Sequence, residues 1–288
     1  MSDMARKLRV EYEGAICHVM NRGDRGEPIF QEDGDRMLFL KTLGQACQKT
    51  DWQAHAWCLM ENHIHLVIET PKANMVAGMK WLLGTYTGRF NRKHQLVGHL
   101  FSGRYKALMV DGGHNGYLRT VCDYVHLNPV RAKLLRQEQP LSAYRWSSYG
   151  EYLKRANQRL PWLRVDRLLG EMGIPKDSVA GRKEFERRME LKRCEDQVET
   201  WKPVRRGWCL GSDTFRKELL MQIAGQAGDS HYGEELRESA EEKAQRIIAE
   251  EIKRLGWRDS GAFVWANSST SISLGLRARA ASRSNSLS

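Results

Sequence analysis

Two histidines in the segment His63-Ile64-His65-Leu66-Val67-Ile68 are the first candidates for chemistry. Side chains alternate between the two faces of a strand, so His63 and His65 share one face and the isoleucines share the other. Positions i and i+2 are about 6.6 Å apart along a strand, which lets two imidazoles converge on one metal ion. Alone, the pair is a weak signal that favours ordinary surface or hydrogen-bonded histidines over a metal site, and both interpretations stay open.

A second candidate is Tyr124-Val125-His126-Leu127-Asn128-Pro129. On a helix Tyr124 and Asn128 are i and i+4 and share a face, whereas His126 faces away. Pro129 biases Asn128 away from the helical conformation, which predicts that the helix breaks there and leaves the amide side chain pointing sideways. The alternative is a core tyrosine beside an asparagine that caps the helix.

The two candidates together suggest phosphodiester chemistry. Two imidazoles and an amide oxygen form a neutral donor set for a divalent ion, Mg²⁺ or Mn²⁺, with positions left for phosphate oxygens. A phenol is a suitable nucleophile, because a phosphotyrosine keeps the bond energy for a later strand transfer. The predicted set is therefore Tyr124 as nucleophile, with His63, His65 and Asn128 as metal ligands.

The charge of the chain points to a polyanionic partner. The 288 residues contain 46 Lys and Arg against 35 Asp and Glu, a net charge of +11. Between residues 71 and 145, twelve basic residues face three acids, a net charge of +9. A local basic surface favours nucleic acid as partner, with a solubilising surface as the alternative.

Composition excludes several protein classes. No run approaches the ~18 consecutive apolar residues of a membrane span, and no apolar segment of a signal peptide follows the first basic residues. The six cysteines are scattered without a C-x-x-C pair, which fits neither a zinc module nor a disulfide scaffold. We expect a cytoplasmic protein without membrane contact, associated with the nucleoid when bound to DNA.

Periodicity predicts the elements that position these residues. Strands are predicted over 15–22, 52–60, 63–70 and 104–110, and helices over 33–50, 74–94 and 116–127. The order strand–helix–strand–strand–helix–strand–helix predicts an α+β fold of ferredoxin-like type, a central antiparallel sheet flanked by helices.

Three segments follow from composition. We expect a catalytic domain over 1–155, an accessory helical region over 156–259 and a disordered tail over 260–288. The tail has nine serines, three arginines, no lysine and no acid, so it buries little apolar surface. The abrupt change at its start is what a frameshift or a truncation produces.

Five blocks of sequence resemble one family. They are HVMNRG (18–23), AWCLMENHIHLVIETP (56–71), GHLFSGRYKA (98–107), YVHLNPVRA (124–132) and YRWSSY (144–149). In this order they resemble the single-tyrosine HUH transposases (IS200-like), and among these the bacterial REP-associated tyrosine transposases.

The resemblance implies a function and a site. It implies an HUH nuclease domain that nicks and rejoins single-stranded DNA at palindromic, REP-type hairpins, working as a monomer or a homodimer. His63, His65 and Asn128 would hold Mg²⁺ or Mn²⁺, and Tyr124 would form a 5′-phosphotyrosine. The expected DNA-binding residues belong to the basic stretch: Arg104, Lys106, Arg131, Arg89, Arg92 and Lys93.

Two other functions remain open at this point. The chain could be a DNA-hairpin binder that keeps the HUH scaffold without catalysis. It could also be a metallo-phosphodiesterase in which water attacks and Tyr124 packs in the core.

Overall fold

The computed structural model describes residues 9–113, 115–194 and 201–226. Its centre is a five-stranded sheet in the order β2-β3-β1-β4-β5. The strands are β1 (Ala15–Arg22), β2 (Gln53–Leu59), β3 (His63–Thr70), β4 (Lys106–Val110) and β5 (Cys209–Leu210). Among the described residues, no helix has the length and apolar character needed to cross a membrane.

The first four strands confirm the predicted ferredoxin-like order. β1 pairs antiparallel with both β3 and β4, and β2 with β3 form a hairpin whose turn is Glu61-Asn62. β1 and β3 are buried on both faces, which explains their nearly continuous apolar and β-branched sequences. The two-residue β5 was not expected, and it extends the sheet by parallel pairing with β4.

Nine α-helices surround this sheet in the described part of the chain. They are α1 (Asp33–Thr50), α2 (Met75–His94), α3 (Tyr117–His126), α4 (Asn128–Arg131), α5 (Tyr149–Leu153), α6 (Asp166–Glu171), α7 (Val179–Cys194), α8 (Lys202–Arg206) and α9 (Asp213–Gln226). The sheet and its helices form the predicted α+β fold.

Helices cover the two faces of the sheet differently. α1 and α2 pack together, with Phe39 and Tyr86 in edge-to-face contact, on the face where Ile64, Leu66 and Ile68 are fully buried. α3 lies on the other face, which carries His63 and His65. The histidine face of β3 is therefore the face that meets the predicted tyrosine helix.

The described residues beyond 155 pack onto the same sheet. Leu163 forms a bridge with Ala54 of β2, and Arg167 of α6 binds Glu69 of β3 at 2.7 Å. β5 extends the sheet, as given above. Residues 227–288, which hold the rest of the predicted helical region and the Ser/Arg tail, lie outside the described part of the chain.

Candidate active site

One cavity of about 690 Å³ brings the predicted chemical residues together. It is lined by His63, His65, Tyr124 and Asn128, together with Arg104 and Lys106. Its remaining lining residues are Met20, Asn21, Arg22, Gly23, Arg25, Gly26, Asn62 and Ser102. Residues from the hairpin, from β1, from the start of β4 and from α3–α4 thus meet at one place.

His63 is half-buried and held by its neighbour. Its Nδ1 lies 2.8 Å from Oδ1 of Asn62, so Nδ1–H donates and Nε2 keeps its lone pair. Asn62 in turn donates to the carbonyl oxygen of Gly26 at 2.9 Å. Gly26 has a φ of +80°, a conformation that favours glycine. The turn after β1 therefore fixes the orientation of His63.

His65 is buried beside a third histidine that the chemical prediction did not include. Its Nδ1 lies 3.0 Å from Nε2 of His18, and the two rings are within 19° of parallel with centroids 5.2 Å apart. The rings of His63 and His65 meet edge-to-face at 5.0 Å. His18 comes from β1, whose antiparallel pairing with β3 places both side chains on one face.

All three imidazoles are held in the neutral form. Burial lowers the pKa of His18 to about 3, and Arg131 lowers it further. Burial also holds the pKa of His65 well below its usual value, with repulsion from His18 adding to the effect. The pKa of His63 is lowered by burial and by Arg22. Neutral imidazole is the form that binds metal ions.

Tyr124 lies against this histidine cluster. Its ring is 5.8 Å from that of His65 and 5.5 Å from that of His18, both at steep interplanar angles. The guanidinium of Arg131 stacks on the tyrosine ring at 3.9 Å and donates to the Tyr124 carbonyl oxygen. Trp201 packs on the ring at 5.8 Å. The tyrosine is thus held between the histidines and an Arg–Trp pair.

Asn128 begins a new helical turn, and this corrects the predicted geometry. The helix is interrupted at Leu127, one residue before the expected break, and Asn128 is the first residue of α4 with Pro129 second. Proline suits this position because the amide proton that it lacks would have no helical partner there. Asn128 is buried, lines the cavity, and its Nδ2 has no hydrogen-bond partner among the described residues.

An ion pair connects α3 to α7 next to the tyrosine. Asp123 is fully buried and accepts from Lys192 at 2.5 Å, while Arg119 lies 3.7 Å away. Burial raises the pKa of Asp123, and Lys192 opposes that shift. The helix that carries Tyr124 is therefore fixed from the predicted accessory region.

The cavity is strongly basic. Arg22, Arg25, Arg104 and Lys106 line it, and none of its lining residues in the described part of the chain carries a carboxylate. Arg131, in contact with Tyr124, lines an adjoining cavity. The surroundings therefore suit an anionic group such as a phosphate.

The remaining predicted DNA-binding residues lie elsewhere. Arg89, Arg92 and Lys93 of α2 line a separate shallow depression together with residues of α1. Lys93 binds Glu32 and Asp35 at 2.5 and 2.7 Å, and Arg89 donates to Thr42. Two of these three cations thus have partners within the fold.

Several tempting residues lie outside the cavity. Tyr117 opens α3 and does not line it, and His126 points into the core. Trp146 and Tyr149 are buried.

The donor set fits a divalent cation of hard or borderline character. His63 presents a free Nε2, His65 lies beside it, and Asn128, whose amide oxygen is the proposed third donor, lines the same cavity. No cluster of three or more His, Cys, Asp and Glu suited to a metal ion occurs among the described residues. The set is therefore two imidazoles and an amide, which leaves coordination positions for phosphate oxygens.

The segment of the chain that contributes His63, His65, Tyr124 and Asn128 matches a known family. Residues 11–128 match the family described as transposase IS200 like, a segment that ends on Asn128 and includes both histidines and the tyrosine. These residues are similar to the IS200-like transposases. The predicted family is thereby confirmed for this segment.

The curated proteins and the solved structures do not extend this family match. None of the curated proteins matches the chain. One similar solved structure is described as the REP-associated tyrosine transposase bound to a REP hairpin. It shares 13% identity over 53% of this chain and 87% of its own, with a TM-score of 0.43.

Sequence reasoning missed part of the cavity lining and the third histidine behind it. His18, Asn21 and Arg22 all lie within or beside the HVMNRG block, which was noticed as a family block but given no chemical role. The signal for His18 was a polar residue in the middle of an apolar strand, since buried polar groups require a partner. Trp201 gave no comparable signal.

Proposed function

We propose that this transposase domain cleaves and rejoins single-stranded DNA through a covalent tyrosine intermediate. The observation that supports the proposal is the single cavity that collects two neutral imidazoles, a phenol, an amide and basic side chains. Its volume of about 690 Å³ lies in the range of ligand sites, roughly 300–1,000 Å³.

The proposed metal ligands are His63, His65 and Asn128. When bound, Mg²⁺ or Mn²⁺ would polarise the scissile phosphate and offset the charge that develops on the leaving oxygen. The protein's own contribution is to keep both imidazoles neutral through burial and to fix His63 through Asn62.

Tyr124 is the proposed nucleophile. Its phenolic oxygen attacks phosphorus, the bond from phosphorus to the 3′ oxygen breaks, and a 5′-phosphotyrosine forms. The phenolic proton passes to water, and the leaving 3′ oxygen takes up a proton to become a hydroxyl. Attack by the 3′-hydroxyl of another strand on the phosphotyrosine reverses these bond changes and rejoins DNA.

Arg104 and Lys106 are the proposed phosphate contacts nearest the chemistry. Both line the cavity, with Arg22 and Arg25 on the side formed by β1 and the turn after it. Cations that track the backbone supply the sequence-independent part of DNA binding. The family blocks favour palindromic, REP-type hairpin DNA as the target, with the protein acting at the nucleoid as a monomer or homodimer.

Water is the competing nucleophile. The observation in its favour is that Tyr124 is only 7% exposed while His63 is half-buried at the cavity wall. In that case the site would hydrolyse the phosphodiester without an adduct.

A denaturing gel separates these functions. Labelled single-stranded hairpin DNA is incubated with the full chain and Mn²⁺, comparing the wild type, Tyr124→Phe and Tyr117→Phe. Tyr117 is the matched control, because it lies on the same helix outside the cavity. We expect a covalent adduct in the wild type and in Tyr117→Phe and none in Tyr124→Phe.

The other outcomes are equally informative. Cleavage that persists in Tyr124→Phe without an adduct contradicts the tyrosine mechanism and supports water as the nucleophile. Hairpin binding without any cleavage supports a non-catalytic binder.

A further inference from the structure

His18 is a fully buried polar residue in the central strand of the sheet, and none of the roles proposed above uses it. It is flanked in β1 by Cys17 and Val19 and faces the same side as His63 and His65. A buried imidazole without a partner costs stability, so its contacts indicate why the fold accommodates it.

The contact with His65 restricts which nitrogen of His65 faces the cavity. His18 Nε2 lies 3.0 Å from His65 Nδ1, and the angle of only 19° between the two ring planes suits an in-plane N–H···N hydrogen bond. Because Nδ1 is engaged, Nε2 is the nitrogen that remains for an external ligand. Asn62 engages Nδ1 of His63 in the same way, at 2.8 Å.

The contact with Tyr124 makes His18 a link between two parts of the site. The centroids of the His18 and Tyr124 rings lie 5.5 Å apart at an interplanar angle of 67°, close to the 5.8 Å between Tyr124 and His65. A single side chain thus touches one proposed metal ligand and the proposed nucleophile.

We propose that His18 is a positioning residue that accepts a hydrogen bond from His65 Nδ1–H and thereby presents His65 Nε2 to a divalent cation. This inference rests on the proposed function. A partner for the second ring nitrogen is the usual means by which proteins orient a metal-binding histidine.

The proposal commits to one arrangement of protons. His18 then carries its proton on Nδ1, which is buried and has no hydrogen-bond partner in the described part of the chain. In the opposite arrangement His18 Nε2–H donates, His65 is protonated on Nε2, and His65 is unable to bind a cation. The two arrangements give different ¹⁵N chemical shifts for both rings.

Metal affinity in the absence of DNA is the first measurement. Mn²⁺ binding to the full chain is followed by electron paramagnetic resonance for the wild type, His18→Leu and His18→Gln. Leucine removes the acceptor, whereas glutamine places an amide oxygen near the position of Nε2. We expect His18→Leu to bind Mn²⁺ about 10- to 100-fold more weakly. We expect His18→Gln to stay within about threefold of the wild type, because it restores the acceptor.

Asn62→Leu is the reference variant for this effect. Asn62 accepts a hydrogen bond from Nδ1–H of His63, which is the role proposed for His18 toward His65. Thermal unfolding of each variant shows whether it folds. If His18→Leu does not fold, His18→Gln and the spectrum of the wild type decide the question.

The second measurement is the ¹⁵N spectrum of the histidine rings with saturating Mg²⁺. We expect His65 to be protonated on Nδ1 and His18 on Nδ1. Unchanged Mn²⁺ affinity in a folded His18→Leu, or a His65 ring protonated on Nε2 with the cation bound, overturns the role of His18 alone. A wild-type chain that binds no Mn²⁺ overturns the proposed metal site, and the role of His18 with it.

Discussion

Tyr124 and His126 are two residues apart on α3 and have opposite surroundings. Tyr124 faces a cavity lined by His63, His65 and basic side chains. His126 faces a closed cluster in which the rings of Tyr149, Tyr152 and Phe185 lie 6.2, 5.3 and 6.0 Å from its own. Opposite faces of one short helix thus separate an open polar site from a sealed aromatic core.

The histidines of the two regions are alike in protonation. Burial lowers the pKa of His126 to about 3, the same value as for His18. His126 is hydrogen-bonded to the hydroxyl of Ser148 at 2.8 Å, so it is also partnered. A neutral buried imidazole therefore does not identify a functional site. The cavity and the cations beside His63 and His65 distinguish them from His126.

The largest difference is expected from replacing histidines in each region. His63→Ala or His65→Ala should lower DNA cleavage by about 10²- to 10³-fold, because transition-state charge loses several kcal/mol of metal stabilisation. His126→Phe should stay within about threefold of the wild type, since aromatic packing replaces aromatic packing. Single-turnover cleavage of labelled hairpin DNA measures both. Equal losses in the two regions would contradict the assignment.

The second-largest effect is expected from the ion pair that joins α7 to α3. Lys192→Met leaves the buried carboxylate of Asp123 with Arg119 alone, so the free energy of unfolding should fall by about 3 kcal/mol. Urea titration followed by tryptophan fluorescence measures it. The double variant Asp123→Asn with Lys192→Met should recover part of the loss, because the uncompensated charge is removed. No recovery would show that packing, not charge, explains the effect.

Acid should destabilise the protein through its buried histidines. Their folded-state pKa values lie below the unfolded value near 6.5, so the unfolded state binds more protons as the pH falls. Stability is full above about pH 6.5 and falls toward pH 3, by about 1.4 kcal/mol per pH unit for each proton.

His126→Phe tests one share of this acid sensitivity. Between pH 6.5 and 4 the free energy of unfolding of His126→Phe should fall less steeply than that of the wild type. The slope should be smaller by about 1.4 kcal/mol per pH unit, the value for one proton. Urea titrations at several pH values measure the slope. Identical slopes in the two proteins would show that His126 is protonated in the folded state.

The smallest expected effect separates two basic surfaces. Arg104→Ala removes a cation of the proposed catalytic cavity, whereas Arg92→Ala removes an exposed cation from the separate depression on α1 and α2. Arg104→Ala should weaken single-stranded DNA binding by about five- to tenfold and reduce the salt dependence by about 0.7 of a counterion. Arg92→Ala should change either quantity less. Fluorescence anisotropy at several salt concentrations measures the affinity and its salt dependence. A larger effect of Arg92→Ala would indicate that DNA binds to the surface of α1 and α2 and not at the cavity.

Local spacing predicted the parts of the site that lie on one element. Strand alternation placed His63 and His65 together, and helical spacing separated Tyr124 from His126. The order of strands and helices was also predictable, because each element carries its own periodicity.

Contacts between distant segments were not predictable in this way. His18 reaches His65 across 47 positions, and Lys192 reaches Asp123 across 69, through strand pairing and helix packing that no local pattern encodes. The two-residue β5 is too short to show alternation, and Pro129 fits inside the helical turn that Asn128 begins. Counting charges along the chain likewise grouped Arg89 and Lys93 with the cavity, although their side chains have partners within the fold.

The identity of the covalently modified residue tests the central claim most directly. The full chain is incubated with single-stranded hairpin DNA and Mn²⁺, the DNA is trimmed with nuclease, and the protein is digested for mass spectrometry. The proposed mechanism predicts a nucleotide joined through its 5′ phosphate to the peptide that contains Tyr124. A nucleotide on Tyr117 or any other residue, or cleaved DNA without a modified peptide, would contradict it.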